Sequence, residues 1–326
     1  MTLTMQDIAN GMTYSTHHDV QFWDFNSITA SGEKWRLLID TIAEHHKDDT
    51  IDMIIGLDAR GFLLSGALGY ALGADHVTAR KAGKLPGETI YEEYGKEYVE
   101  ANKHGQQKAH DQLHLQTAYI EPGMKVLVLD DVLATGGTAE ACCKLIERLG
   151  ATVAGVTVVI ELPELGGRGN KLAAYPVHSL ISIVEGTPVV DIEYCVDILA
   201  TDSATEELIL IERKSDPKGI AMPGGRIEKG ESVESAAVRE LAEETNCVTD
   251  SVTYTGVLSG LTRDPRGVKV STVVKVSVDS SSAQGEVVAG KTRTDIKRIP
   301  TRAHLPEIAE FVLGHGECLE KYWFSK

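Results

Sequence analysis

Long hydrophobic runs are missing from this 326-residue chain. None approaches the ~20 apolar residues of a membrane-spanning helix, so no such span is expected. The opening Met1-Thr2-Leu3-Thr4-Met5-Gln6-Asp7 has no basic segment leading into an apolar core, so no secretory signal is expected either. Basic residues are in deficit: the formal charge is −16, which argues against nucleic acid as the main partner. Cysteine is sparse, and Cys142, Cys143, Cys195, Cys247 and Cys318 are odd in number with no zinc-ligand spacing. They read as packing thiols in a reduced, cytoplasmic setting. Aromatics make up only 6% of the chain, so the cluster Val20-Gln21-Phe22-Trp23-Asp24-Phe25 stands out. What remains is an ordinary soluble composition with room for two domains.

The richest stretch is Val126-Leu127-Val128-Leu129-Asp130-Asp131-Val132-Leu133-Ala134-Thr135-Gly136-Gly137-Thr138-Ala139. Its apolar run reads as a strand buried on both faces, as in a parallel sheet. The small-residue turn Ala134–Thr138, opening onto a helix over Glu140–Leu149, can aim consecutive main-chain N–H groups at a phosphate. Two carboxylates beside that cradle repel unless something polyhydroxylated or metal-bound lies between them. A ribose 5-phosphate meets both needs, its phosphate in the turn and its hydroxyls on Asp130 and Asp131. A second apolar strand, Ile51–Leu57, ends in Asp58-Ala59-Arg60-Gly61, presenting a guanidinium where open α/β sheets bind their ligands. Lys34–His46 has helical periodicity, and Val153–Ile160 and Val177–Val184 read as further strands.

From Phe22 to Ser182 the chain resembles type I phosphoribosyltransferases, and within them adenine phosphoribosyltransferase. The resemblance implies a mainly parallel sheet flanked by helices over residues 1–186. It places the 5-phosphoribosyl 1-pyrophosphate on Ala59, Arg60, Arg80, Lys84, Asp130, Asp131 and the turn Ala134, Thr135, Gly136, Gly137, Thr138. Adenine is expected between Phe22 and Leu162, its polar edge read by main-chain groups of Gln21 and Trp23; the family usually has Arg where Trp23 stands. The basic Arg80–Thr89 and the acidic, Tyr-rich Ile90–Glu100 resemble a flexible cover that keeps water from the reacting centre. A carboxylate there handles the purine proton: Glu97 by ungapped counting, with Glu93-Tyr94-Gly95 matching the local pattern after a shift. Ala101–Gln112, with His104, His110 and nearby His114, reads as a solvated insertion rather than a metal site.

Glu185-Gly186-Thr187-Pro188 reads as a linker, and a second domain is expected over 189–326. Ile192–Ala200 and Glu207–Arg213 suggest a hairpin. In Gly225–Cys247, Glu240, Glu243 and Glu244 fall at i, i+3 and i+4, so three carboxylates share one helix face. Such crowding is relieved by a hard cation, Mg²⁺ or Mn²⁺. Arg239 is positioned to bridge to Glu231 or Glu243. This segment resembles a Nudix box, departing from it at Asn246, which replaces Gly but tolerates a left-handed helix terminus. The resemblance implies an α/β/α sandwich with a mixed sheet. It makes Glu240, Glu243, Glu244 and the Gly224 carbonyl metal ligands, with Gly225, Glu231 and Arg239 supporting them. Arg263 and Arg266, before a strand over Val268–Val278, resemble the ADP-ribose pyrophosphatase branch; Glu286 and Asp295 are both candidates for the general base. The expected whole is a bifunctional enzyme, a homodimer by analogy with type I transferases. One half makes AMP from adenine, and the other splits a nucleoside diphosphate derivative, ADP-ribose foremost. Other nucleotides, or a ligand-sensing role for one domain, are the competing readings.

Overall fold

The computed structural model describes residues 3–17, 20–95, 110–214, 217–261, 264, 267–285, 287–288, 291–292, 294–299, 311, 313 and 315–322. It divides into two compact units, Met1–Gly167 with Tyr175–Asp191, and Arg168–Ala174 with Ile192–Lys326.

The helices of the first unit are α1 (Met5–Asn10), α2 (Asn26–Thr29), α3 (Gly32–His46), α4 (Gly61–Leu72) and α5 (Gly137–Arg148). Its strands are β1 (Tyr14–His17), β2 (Val20–Trp23), β3 (Met53–Leu57), β4 (Asp75–Lys81), β5 (Thr89–Gly95), β6 (His110–Gln116), β7 (Lys125–Leu133), β8 (Thr152–Glu161), β9 (Val177–Val184) and β10 (Thr187–Val190). Eight of them form one sheet in the order β10-β9-β8-β7-β3-β4-β6-β5. The run from β9 to β4 is parallel. Parallel strands are covered on both faces, and all five residues of β3 are buried accordingly. The helices begin as their sequences dictate. Ser31 caps α3 by accepting from the Lys34 N–H, while α4 stops at Gly73 in the left-handed region that glycine enters freely.

Three expectations change here. The Glu185–Pro188 linker is the turn of a hairpin: Thr187 pairs with Val184, and β10 closes the sheet edge. The cover Thr89–Gly95 is strand, paired antiparallel with β6 from Thr89↔Gln116 to Gly95↔His110. Alternation along β6 buries Asp111, Leu113 and Leu115 while leaving His110 exposed, so the period-two pattern outweighed the polar composition. Third, β7 runs on through Asp130–Leu133 and α5 starts at Gly137, three residues before the expected Glu140.

In the second unit the strands are β11 (Glu193–Asp202), β12 (Leu208–Arg213), β13 (Gly219–Ala221), β14 (Gly224–Arg226), β15 (Thr253–Leu258), β16 (Lys269–Val278), β17 (Val287–Val288), β18 (Lys291–Thr292) and β19 (Thr294–Ile299). A short helix α6 (Gly167–Asn170) leads into its segment 168–174, and α7 (Val233–Thr245) and α8 (His315–Tyr322) follow. The main sheet runs β13-β12-β11-β16-β15, mixed because β11 and β16 are parallel while their other neighbours are antiparallel. Alternation along β11 sends Val196, Ile198 and Ala200 into the core that holds α7. It sends Leu199 into the core that holds Cys318 and Leu319 of α8. The sheet is thereby sandwiched between helices, as expected. All five cysteines are buried, and burial pushes the Cys142 and Cys143 thiols well up, so both are inert fillers of α5. Among the described residues no helix is long and apolar enough to cross a membrane.

Gly56, on the central strand β3, tests the packing of the first unit. A Cβ there would lie 2.4 Å from Ser65 Oγ and 2.6 Å from the Gly61 carbonyl oxygen. Gly56→Ala is expected to cost about 1–3 kcal/mol, read as a lowered urea midpoint for the transition of this unit.

Candidate active sites

The C-terminal ends of β3 and β7 lie side by side in the first unit, and the residues just beyond them line a cavity of about 260 Å³. Its walls include Asp58, Ala59 and Arg60 from the β3–α4 turn, and Asp130 and Asp131 from β7. Ala134, Gly136 and Thr138 come from the turn before α5, with Trp23 and Leu162 at the apolar end. Gly136 holds φ +83° as the residue before α5, leaving the first-turn N–H groups of the helix without partners inside it. Gly167 supports this turn: its N–H donates to the Ala134 carbonyl at 3.1 Å, and a Cβ on it would strike that oxygen at 2.3 Å.

Asp131 is buried and Asp130 half-buried. Burial, and then Asp131, push the Asp130 carboxyl well above the ordinary carboxylate range. Burial raises Asp131 too, opposed by the Arg60 guanidinium whose Nε lies 2.9 Å from its Oδ2. Arg60 also donates to the Trp23 carbonyl at 3.4 Å, tying the β3–α4 turn to the β1–β2 hairpin. The Asp58–Ala59 peptide is cis.

The remaining expected residues are distributed more widely. Thr135 and Gly137 belong to the same turn without lining the cavity. Arg80 donates to Asp58 at 3.4 Å and to the Lys84 carbonyl at 3.4 Å, so this basic pair is held against the β3 turn. Gln21 and Phe22 lie in β2, opposite Thr16 and Ser15. Glu97 and His104 lie outside the described residues. Sequence reasoning did not single out Tyr94. Burial, followed by the charge of Asp111, pushes the phenol up to about 12 against an opposing hydrogen bond with Thr138, so it stays protonated beside the Ala134–Thr138 turn. Its signal was the Glu93-Tyr94-Gly95 pattern, once β5 is read as strand. His114 stacks on Tyr91 at 5.3 Å and contacts Thr89, giving it a packing role.

The second centre is built on α7. Ser232 caps it by accepting from the Ser235 N–H, and Asn246 ends it at φ +56°, in the expected left-handed conformation. Arg239 makes both anticipated bridges. Its Nε and Nη2 donate to the two oxygens of Glu231 at 2.9 and 2.8 Å, and Nη1 lies 3.5 Å from Glu243. Nη1 also donates to Glu240 at 2.7 Å, and Nη2 to the Arg226 carbonyl at 2.9 Å. The Gly224 N–H donates to Glu244 Oε2 at 2.9 Å. A Cβ at Gly225 would fall 2.2 Å from Glu240 Oε1, so only glycine leaves room for that carboxylate.

Among the described residues, no three His, Cys, Asp or Glu side chains converge into a ready coordination shell. The donor set still fits a hard divalent cation. Glu240, Glu243 and Glu244 share one end of α7, and burial pushes the Glu240 carboxyl up even with Arg239 against it. Asp295 is half exposed and paired with Lys214 at 2.7 Å. Arg263, Arg266 and Glu286 lie outside the described residues.

Residues 25–192 match the family model of the phosphoribosyl transferase domain. Adenine phosphoribosyltransferase from Clostridium beijerinckii is 46% identical over 162 residues, covering 50% of this chain and 88% of that protein. The first unit makes this chain a member of the adenine phosphoribosyltransferase family. The enzyme of that name from Roseobacter denitrificans is 44% identical over 167 residues, covering 51% of this chain and 89% of that one. A crystal structure of adenine phosphoribosyltransferase from Thermoanaerobacter pseudethanolicus superposes with TM-score 0.50 at 33% identity, covering 55% of this chain and 99% of that one. Residues 193–312 match the NUDIX domain model, so the phosphoribosyltransferase domain is followed by a Nudix domain.

The Arg239–Glu231 fork makes a pH signature. Arg239 holds Glu231 below its ordinary 4.5, so its stabilisation is complete above that value and is lost as pH falls through the lowered one. The stability gap between wild type and Glu231→Gln should therefore be full at pH 7 and shrink below pH 4.5. Urea unfolding across that range measures it; a gap that widens toward acid would contradict the assignment.

Proposed function

We propose that the chain is a bifunctional nucleotide enzyme. The first domain joins adenine to 5-phosphoribosyl 1-pyrophosphate, yielding AMP and pyrophosphate. The reading is carried by one observation: an acid pair, a guanidinium and a glycine turn converge on a single cavity with an apolar end. In it, the N–H groups of Ala134–Thr138 hold the 5-phosphate while Asp130 and Asp131 take the ribose hydroxyls. Arg60 and the Ala59 main chain, with Arg80 and Lys84, receive the pyrophosphate. Leu162 and Phe22 sandwich the base, and Gln21 and Trp23 read its edge. Bond formation from the purine nitrogen to C1′ expels pyrophosphate, with Glu97 taking the proton. Buried carboxylates beneath the ribose favour the positive charge that develops there.

The Nudix domain hydrolyses a nucleoside diphosphate derivative, ADP-ribose foremost, giving AMP and ribose 5-phosphate. Glu240, Glu243 and Glu244, with the Gly224 carbonyl, would hold Mg²⁺, which stabilises charge on the pyrophosphate and lowers the pKa of attacking water. Arg239 and Glu231 keep the loop and α7 rigid; Gly225 gives Glu240 its room. Arg263 and Arg266 contact substrate, and Glu286 serves as base. Both halves then produce AMP, and ribose 5-phosphate is one phosphoryl transfer from the first domain's substrate, which accounts for the fusion. The working form is a cytoplasmic homodimer.

Two substitutions separate the activities. Arg60→Ala should raise KM for 5-phosphoribosyl 1-pyrophosphate about 10–100-fold, the loss of a charge-assisted contact, and leave hydrolysis intact. Glu244→Gln should lower hydrolysis at least about 100-fold without slowing AMP formation from adenine. Product analysis with Mg²⁺ on ADP-ribose, NAD, diadenosine polyphosphates and 8-oxo-dGTP tests the second substrate. Turnover of a compound other than ADP-ribose removes the salvage rationale, and turnover of none favours a sensor.

A further inference from the structure

His315, the first residue of α8, is 2% exposed. Its Nδ1 accepts a hydrogen bond from the Met222 main-chain N–H at 2.9 Å, and its Nε2 lies 3.3 Å from Asp197 Oδ1. A main-chain N–H only donates, so Nδ1 is the bare nitrogen and Nε2 carries the proton toward Asp197. One imidazole thus joins two points that frame Gly224. Asp197 stands directly opposite Gly224 in the β11–β14 ladder, and Met222 precedes it with only Pro223 between them. The Ile198 N–H reinforces the frame by donating to the Pro223 carbonyl at 2.8 Å. There is no slack at Gly224: a Cβ would lie 2.2 Å from the Val196 carbonyl oxygen and 3.1 Å from Asp197 Oδ1. The Gly224 N–H in turn fixes Glu244, 8% exposed, through its Oε2.

We propose that His315 is a positioning residue for the Nudix carboxylate centre. By accepting from the Met222 main-chain N–H it sets the height of Gly224, with Asp197 only orienting the ring, and Gly224 sets where the Glu244 carboxylate stands. The inference rests on the reading of Glu240, Glu243 and Glu244 as a divalent-cation site. Buried as it is, His315 does not meet substrate and acts only through this strand. The imidazole is not the sole anchor of α8, because Cys318 and Leu319 are fully buried in the core beneath it. Residues that orient ligands in this manner commonly govern metal affinity by about 10–100-fold.

The test is Mn²⁺ titration of the full chain by calorimetry, comparing wild type, Glu244→Gln, His315→Asn and His315→Gln, with thermal unfolding alongside. Asn keeps an acceptor close to the Nδ1 position, whereas Gln keeps an amide only at the Nε2 end. His315→Asn should bind within about threefold of wild type at the site that Glu244→Gln removes, and His315→Gln should bind about tenfold or more weakly. Equal affinities in the Asn and Gln variants, whether both native or both weakened, would overturn the proposal. A wild type with no Glu244-dependent Mn²⁺ site would instead sink the cation reading, and the positioning role with it.

Discussion

Clustered carboxylates, several of them shielded from water and each cluster answered by a guanidinium, govern both halves of this molecule. In the first domain Asp130 and Asp131 line the cavity, and Arg60 reaches Asp131 from the β3 turn. In the second, Arg239 spreads over Glu231, Glu240 and Glu243. The buried members, Asp131 and Glu244, interact strongly with their surroundings and are costly to leave uncompensated. Each cluster is therefore both a structural liability and a preference for cationic or hydroxyl-rich ligands. The surrounding scaffold is apolar and close-packed, which keeps the acids from relaxing toward solvent.

The two centres solve the same problem with different backbone. The first uses strand ends of a parallel sheet and the opening turn of a helix, where main-chain donors are free. The second uses one helix face, with β14 crossing over its end so that Gly224 and Gly225 approach the carboxylates closely. In both, glycine is required where an atom more would collide with a carbonyl or a carboxylate.

Features written in local chemistry are legible in the amino-acid sequence itself. The acid pair with its small-residue turn, the three carboxylates on α7, the Arg239 bridges and the left-handed Asn246 follow from spacing and side-chain type. Boundaries are less so. Strand β7 extends through its acids because β8 pairs with it as far as Leu133↔Glu161, a partner the local sequence does not reveal. The β5–β6 hairpin is masked by charge: Glu92 and Glu93 read as loop, although alternation in β6 buries Leu113 and Leu115. Tyr94 carries only the local Glu93-Tyr94-Gly95 pattern, and nothing in the sequence marks His315. Their neighbours, Thr138 and Met222, lie far away along the chain, and only the tertiary fold brings them together.

The centre of the second sheet is a parallel pair in which Glu193 faces Lys269 and Asp202 faces Val278. During synthesis β11 emerges first, then the whole of α7, and β16 last. Closing so wide a chain loop before any pairing repays its entropy makes such sheets slow to assemble. Until β16 arrives, the acid-rich helix can pack only on the elements made before it, β11, β12 and β14, while Arg239 to Glu231 and the Ser232 cap hold its shape locally. The first domain needs nothing beyond β10 to complete its own sheet. Emerging N-terminal first, it can close its cavity while the Nudix sheet is still waiting for its middle.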